Sequence, residues 1–267
     1  MIKITDLLTY PLKSGAPSKH SICHVDRYGL YLDRQWAIFD QSGQCITART
    51  HPKLLRLQVS EQNGAYTLSH KRKAALTLLP NTGVTHDLSI HSYQAHGIAE
   101  SEEVSEWLSN YLDTPVTLMR HNSAKHRPVL SKHGGQEETD TVAFADQAPV
   151  LIISEATLAD LNSRLDKPVP MDRFRPNIVV IGCEPYEEDK WNEIQIGNCR
   201  MKIIQQCERC VFTTIDTDTL SKHPSAEPLR TLATYRVGPR GGVVLGVHAV
   251  PTVEGDIEVG NTLEVLS

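Results

Sequence analysis

The chain has 267 residues, of which 40% are hydrophobic and 22% charged, with a net charge of −5. That composition supports a packed core, argues against wholesale disorder, and lacks the basic excess that nucleic-acid binding demands. The N-terminus carries no signal-peptide core. The longest apolar runs, at 150–154 and 177–182, are far too short to span a bilayer, so no membrane span is expected. Six cysteines without an export signal point to a reduced, cytoplasmic protein.

In chain order, the first third reads as strand and turn. IKITDLLTYPL, GLYLDRQWAIFD, CITART, LLRLQVS and AYTLSH are short, β-branched or alternating, and separated by turn residues. SGQC and EQNGAY are expected hairpin turns, with Asn63-Gly64 the stronger signal. Together these predict a small barrel or sandwich. In SEEVSEWLSNYLD the apolar residues Val104, Trp107, Leu108, Tyr111 and Leu112 fall on one face of a helix. Residues 120–140 are polar and aperiodic, as in a mobile loop or a domain connection.

Strand and helix alternate thereafter. VLIIS predicts a buried strand, EATLADLNSRL a helix capped by Ser154, and NIVVIG another strand. IQIG and MKIIQ predict a hairpin through Gly197-Asn198, and EPLRTLATY a helix with Pro228 in its first turn. GDIEVGNTLEVLS closes the chain as two short strands.

QQCERCVFTTIDTDT places Cys207 and Cys210 two residues apart with Arg209 between them. Four readings stay open on the residues alone. Structural zinc needs four ligands, and only His223 stands at a finger-like distance without a second histidine. A redox pair needs a helix N-terminus, whereas VFTTI favours a strand. Two buried thiols at the start of a strand would be unremarked core, although Glu208 and Arg209 make the turn polar. The fourth reading is one thiolate offered to a soft metal centre that brings its own other ligands. The twelve histidines show no ligand spacing.

CERCVFTTID resembles the signature of MOSC-domain proteins, in particular the YcbX-like group and the mitochondrial amidoxime-reducing component. TYPLKS (9–14), LDRQWAI (32–38), ITAR (46–49), ISEATLADLNSRL (153–165), FRPNIVV (174–180) and EPLRTLATYR (227–236) match in the same order. The resemblance implies a mixed α+β, mainly β fold. An N-terminal β-barrel domain (1–121) packs on a β-barrel-like MOSC domain (122–267), with a few peripheral helices. It also implies a molybdenum cofactor, Mo-molybdopterin, with Cys210 as both metal ligand and catalytic residue and Cys207 behind it. The implied reaction reduces hydroxylamines, amidoximes and N-hydroxylated bases to amines or amidines, consuming two electrons and two protons.

The cofactor positions carried over are Lys13, Ser14, Arg34, Arg49, Ser154, Arg175, Asn177 and Arg209, with Asp146 as a further contact at the site mouth. Molybdopterin is a phosphorylated anion, and converging cations suit it. Lys13 and Ser14 follow a Pro-bearing turn. Arg34 is expected on a strand face shared with Leu32, Trp36 and Ile38. Arg175 precedes Pro176 and is expected to be extended. Each has an ordinary alternative: Lys13 as a solvated cation, Arg34 paired with Asp33 or Asp40, Ser154 as a helix cap only, Asn177 satisfying a turn.

Two departures from the family pattern stand out. Relatives carrying a C-terminal ferredoxin domain have a C-x4-C-x2-C spacing, which is missing before Ser267. Electrons are therefore expected from a separate protein, a ferredoxin- or flavoprotein-type reductase. VLGVHAV (244–250) replaces an FGxN-like segment, so the polar contact at Val247-His248 and the substrate range are expected to differ. A Cys210 persulfide acting as a sulfur carrier, or a binding protein without reductase activity, are the alternatives.

Overall fold

The computed structural model describes residues 1–70, 73–79 and 83–267. Seven strands close into a barrel in the order Ile178–Ile181, Val150–Ser154, Val244–Val253, Cys199–Glu208, Glu193–Ile196, Thr262–Val265 and Ile2–Thr9. The last pairs back onto the first. Neighbours run antiparallel except Val150–Ser154 and Ile178–Ile181, which are parallel and need a crossover. The helix Glu155–Ser163 is part of that crossover.

VLIIS is apolar at consecutive positions because both its faces are covered. Val150 and Ile152 point into the barrel with Ile4, Leu7, Ile178 and Val247. Leu151 and Ile153 pack outside with Leu161 and Phe174. The first strand, from the far N-terminus, is a stave of this barrel, so strand pairing crosses the division between residues 121 and 122.

The N-terminal half adds a half-barrel. Trp36–Asp40, Val116–His121, Tyr93–Ala99 and Thr85–Ile90 form one sheet, and Leu57–Gln62, Ala65–His70 and Lys73–Leu78 another. Trp36, Ile38, Leu57 and Leu118 share a second core with Val104, Leu108 and Leu112 of the helix Glu102–Leu112, which Ser101 caps. The fold is thus mainly β with peripheral helices, as expected.

The local turns follow their chemistry. Asn63 (φ 53) and Gly64 (φ 77) are both left-handed, as a two-residue hairpin turn requires. Gly197 (φ 58) turns the hairpin between Glu193–Ile196 and Cys199–Glu208.

Three expected elements differ. Leu32 (φ 66) and Arg34 (φ 50) sit in a left-handed turn, so the alternation through Leu32, Arg34, Trp36 and Ile38 is not one strand. CITART makes a single bridge at Cys45 and then turns. Residues 120–140 continue from a strand end into irregular chain, yet they are packed. Val129 lies in a small core with Val142 and Val250, and the Arg127 side chain donates to Ala143 O and Ala145 O. The segment is a pinned connection and not a mobile loop.

Candidate active site

A cavity of about 550 Å³ opens between one end of the barrel and the N-terminal half. Lys13, Ser14, Arg34, Arg49, Asp146, Arg175, Asn177, Arg209 and Cys210 all line it. Ser154 does not. Its hydroxyl accepts from Thr157 N and donates to Glu188, so it caps the helix and anchors the buried Glu188 carboxylate away from the cavity.

Each segment brings its side chain by a local device. Lys13 N donates to Trp36 O at 2.7 Å, which seats the PLKS turn on the neighbouring strand. Ser14 then takes a left-handed conformation (φ 64). Lys13 is 6% exposed; its Nζ donates to Phe144 O at 2.8 Å and pairs with Asp146. Arg34 N donates to Tyr10 O, while Asp33 Oδ1 accepts from Tyr10 N, so the two segments clasp each other. The Arg34 guanidinium pairs with Asp33 and reaches Asn177 Oδ1 and Arg175 O, both at 3.3 Å.

Arg175 closes a short 3-10 turn, Met171–Phe174, in the left-handed region (φ 58, ψ 47). The expected extended backbone before Pro176 gives way because that turn ends there. Its Nη1 donates to Gly15 O at 2.7 Å. Asn177 is a brace between strands: Oδ1 accepts from Leu151 N at 3.0 Å, and Nδ2 donates to Leu8 O at 3.2 Å.

The cysteine pair is split by burial. The strand Cys199–Glu208 ends just before Arg209, and VFTT is a 3-10 turn, not the strand its composition predicts. Cys207, near the strand's end, is 5% exposed, whereas Cys210, beyond it, is exposed to the cavity. Burial pushes the Cys207 thiol up, and Arg209 opposes that shift. Among the described residues no three His, Cys, Asp or Glu side chains gather as a metal cage.

Electrostatics make the cavity cationic. Burial works against the Arg49 charge, but Asp146 and the Cys210 sulfur sustain it. Burial alone would raise the Asp146 carboxyl; Lys13, the His91 ring and Arg49 outweigh it and hold it well below the usual carboxylate range. Burial brings the Arg175 guanidinium down to about 10, against the help of Tyr10. Among the described residues, Nη2 of Arg175 and Nε of Arg209 are buried with no hydrogen-bond partner.

Sequence reasoning placed Asp146 at the mouth but missed that it ties Lys13, Arg49 and His91 together. It named His248 only within the Val247-His248 departure; the residue lines the cavity, with its Nδ1 3.2 Å from Gln205 Nε2. Burial takes this imidazole down to about 3, so it is neutral. The departure from the FGxN-like pattern was the available signal: a polar side chain does stand there, of a different kind.

The MOSC N-terminal beta barrel domain model matches residues 1–115 and the MOSC domain model residues 139–264. Human mitochondrial amidoxime-reducing component 1 is 36% identical over 87% of this chain and 72% of its own length. The Danio rerio protein of the same name is 34% identical over 96% and 82%, and human mitochondrial amidoxime reducing component 2 is 32% identical over 88% and 72%. Among the described residues no helix is long and apolar enough to cross a membrane. The chain belongs to the MOSC-domain family, in the group that holds the YcbX-like proteins and the mitochondrial amidoxime-reducing components.

Proposed function

We propose that this chain is a molybdenum-cofactor-dependent reductase of N-hydroxylated compounds, with Cys210 as the protein's ligand to the metal. One observation carries the reading. An exposed thiol opens into the same cavity as five basic side chains from remote segments, and among the described residues three of them, Arg49, Arg175 and Arg209, keep a buried N–H group without a partner. Unpaired buried donors of positive charge fit a phosphate-bearing anion, because leaving them unmade is costly.

Lys13, Arg34, Arg175 and Arg209 would bind the anionic end, and Ser14 and Asn177 border it. Arg49, paired with Asp146, stands beside Cys210 at the mouth. When bound, the cofactor supplies the two-electron chemistry that turns N–OH into N–H and water. The names of the relatives point to amidoximes; the proposal extends to hydroxylamines and N-hydroxylated bases because they carry the same N–OH group. Electrons come from a separate ferredoxin- or flavoprotein-type donor. All six cysteines are free, which suits a reducing compartment such as the cytoplasm.

The test is elemental analysis for Mo and Zn on wild type and Cys210→Ser, with a hydroxylamine-reduction assay driven by an artificial donor. About one Mo per chain with turnover is expected in wild type and almost none in the variant. Zinc in place of molybdenum overturns the reading. A cyanide-labile sulfur on Cys210 without turnover replaces it with a sulfur carrier.

A further inference from the structure

Tyr10 is fully buried, yet its ring is packed against two guanidinium groups. The guanidinium carbon of Arg175 lies 4.0 Å from the ring centroid and that of Arg34 lies 5.0 Å from it. The two arginines are themselves neighbours, since Arg34 Nη2 donates to Arg175 O at 3.3 Å. Like charges this close repel, and a desolvated site makes the repulsion larger. Arg34 has a carboxylate against it, that of Asp33. Arg175 is held by the Gly15 carbonyl, and among the described residues its Nη2 is left without a hydrogen-bond partner.

The phenol hydroxyl does not explain the residue. Among the described residues it is buried with no hydrogen-bond partner. The backbone on either side is fixed: Tyr10 N donates to Asp33 Oδ1 at 2.8 Å, and Tyr10 O accepts from Arg34 N at 3.0 Å. The ring is therefore set in place, and its working surface is the π face. An aromatic face stabilises a cation without neutralising it. A carboxylate in the same position would compete with any anion the arginines are meant to bind.

We propose that Tyr10 is a positioning residue whose ring holds Arg34 and Arg175 side by side, still charged and open to an anionic group of the cofactor. This rests on the proposed function, in which those arginines grip that group.

The test replaces Tyr10 with phenylalanine and then with its mono-, di- and trifluorinated analogues, which keep the ring's shape while draining its π face. Two quantities are read: pterin retained per chain after gel filtration of the loaded protein, and the pyrophosphate Kd of the apo chain by calorimetry. Tyr10→Phe is expected to match wild type. Trifluorination is expected to weaken pyrophosphate about tenfold, with the intermediates falling in order. Tyr10→Leu is expected to behave like the end of the series, and the fluorinated set decides the matter should that variant fail to fold. Retention by wild type with a flat response across the series overturns this inference alone. A wild-type chain that holds no pterin and binds no pyrophosphate overturns it together with the proposed function.

Discussion

Nη1 of Arg209 donates to the sulfur of Cys207 at 2.8 Å, and its Nη2 donates to Phe174 O at 2.7 Å. The arginine between the two cysteines therefore grips the buried one and leaves the exposed one to the cavity. The spacing C-x-x-C suggests two equivalent sulfurs; the fold makes them unequal.

That inequality is directly measurable. Iodoacetamide applied to the native apo chain, followed by peptide mapping, should label Cys210 well ahead of Cys207, because only Cys210 is exposed. Loading with cofactor should protect Cys210 and leave the labelling of Cys45 and Cys183 unchanged. Equal labelling of the pair in the native chain would show that the assigned division of roles is wrong.

Asp146 carries the second prediction. It pairs with Lys13, whose side chain is nearly inaccessible, and with Arg49 at 3.0 Å. Asp146→Asn strands a buried lysine, so urea unfolding of the apo chain at pH 7 should show a loss of about 1–2 kcal/mol, reduced from the fully buried case by the partial exposure of Asp146. The same change frees two cations in the cavity, so pyrophosphate should bind more tightly. Stability and anion affinity thus move in opposite directions. Because the carboxyl is held below its usual range, its contribution is present above the usual carboxylate pKa and lost only as pH falls through the depressed one. The gap between wild type and variant should therefore persist at pH 5.

How much of this was legible depended on range. Ser154 as a cap, Asn63-Gly64 as a hairpin turn and the apolar face of Glu102–Leu112 were readable because a few neighbouring residues settle them. VFTT was not, because the ladder of Cys199–Glu208 ends first and removes the partner that β-branched residues would need. Arg34 was misplaced because period-two alternation is also produced by a turn of the right length. The gathering of Lys13, Arg34, Arg49, Arg175 and Arg209 was expected from family resemblance, not from spacing. It depends on Ile2–Thr9 closing a barrel against Ile178–Ile181, which no local pattern announces. His248 enters the cavity through the register of Val244–Val253 on Val150–Ser154, a tertiary fact of the same kind.

Strain at the site gives a third prediction. Ser14, Arg34 and Arg175 all have positive φ, although none is glycine. Side chains in this region cost about 1–2 kcal/mol each and persist where function holds them. Ser14→Gly should therefore raise the Tm of the apo chain by about 2 °C, after allowing for the greater freedom of glycine in the unfolded chain. Ser14→Ala, which keeps the strained backbone, should give no such rise. Both should retain less cofactor than wild type. Differential scanning calorimetry and pterin content test this, and a Tm that is unchanged or lowered by glycine removes the strain argument.

The last prediction concerns acid. His121 is buried edge-on to Tyr28, with ring centroids 5.0 Å apart, and to Phe144, at 5.6 Å. Burial, helped by Arg127, pushes its imidazole down to about 4, from an ordinary value near 6.5. A base with a depressed folded pKa favours the folded state fully above the unfolded value, and that contribution shrinks as pH drops towards the folded one. Between pH 7 and 4.5 the wild-type chain should lose about 2 kcal/mol through His121 alone. His248, His20 and His133 are shifted in the same direction. They are shared by wild type and His121→Leu, so their effect cancels when the two are compared by urea unfolding at both pH values. The wild type should lose about 2 kcal/mol more than the variant over this range. Parallel losses would mean that His121 is protonated in the folded chain, in contact with water that its aromatic neighbours are here seen to exclude.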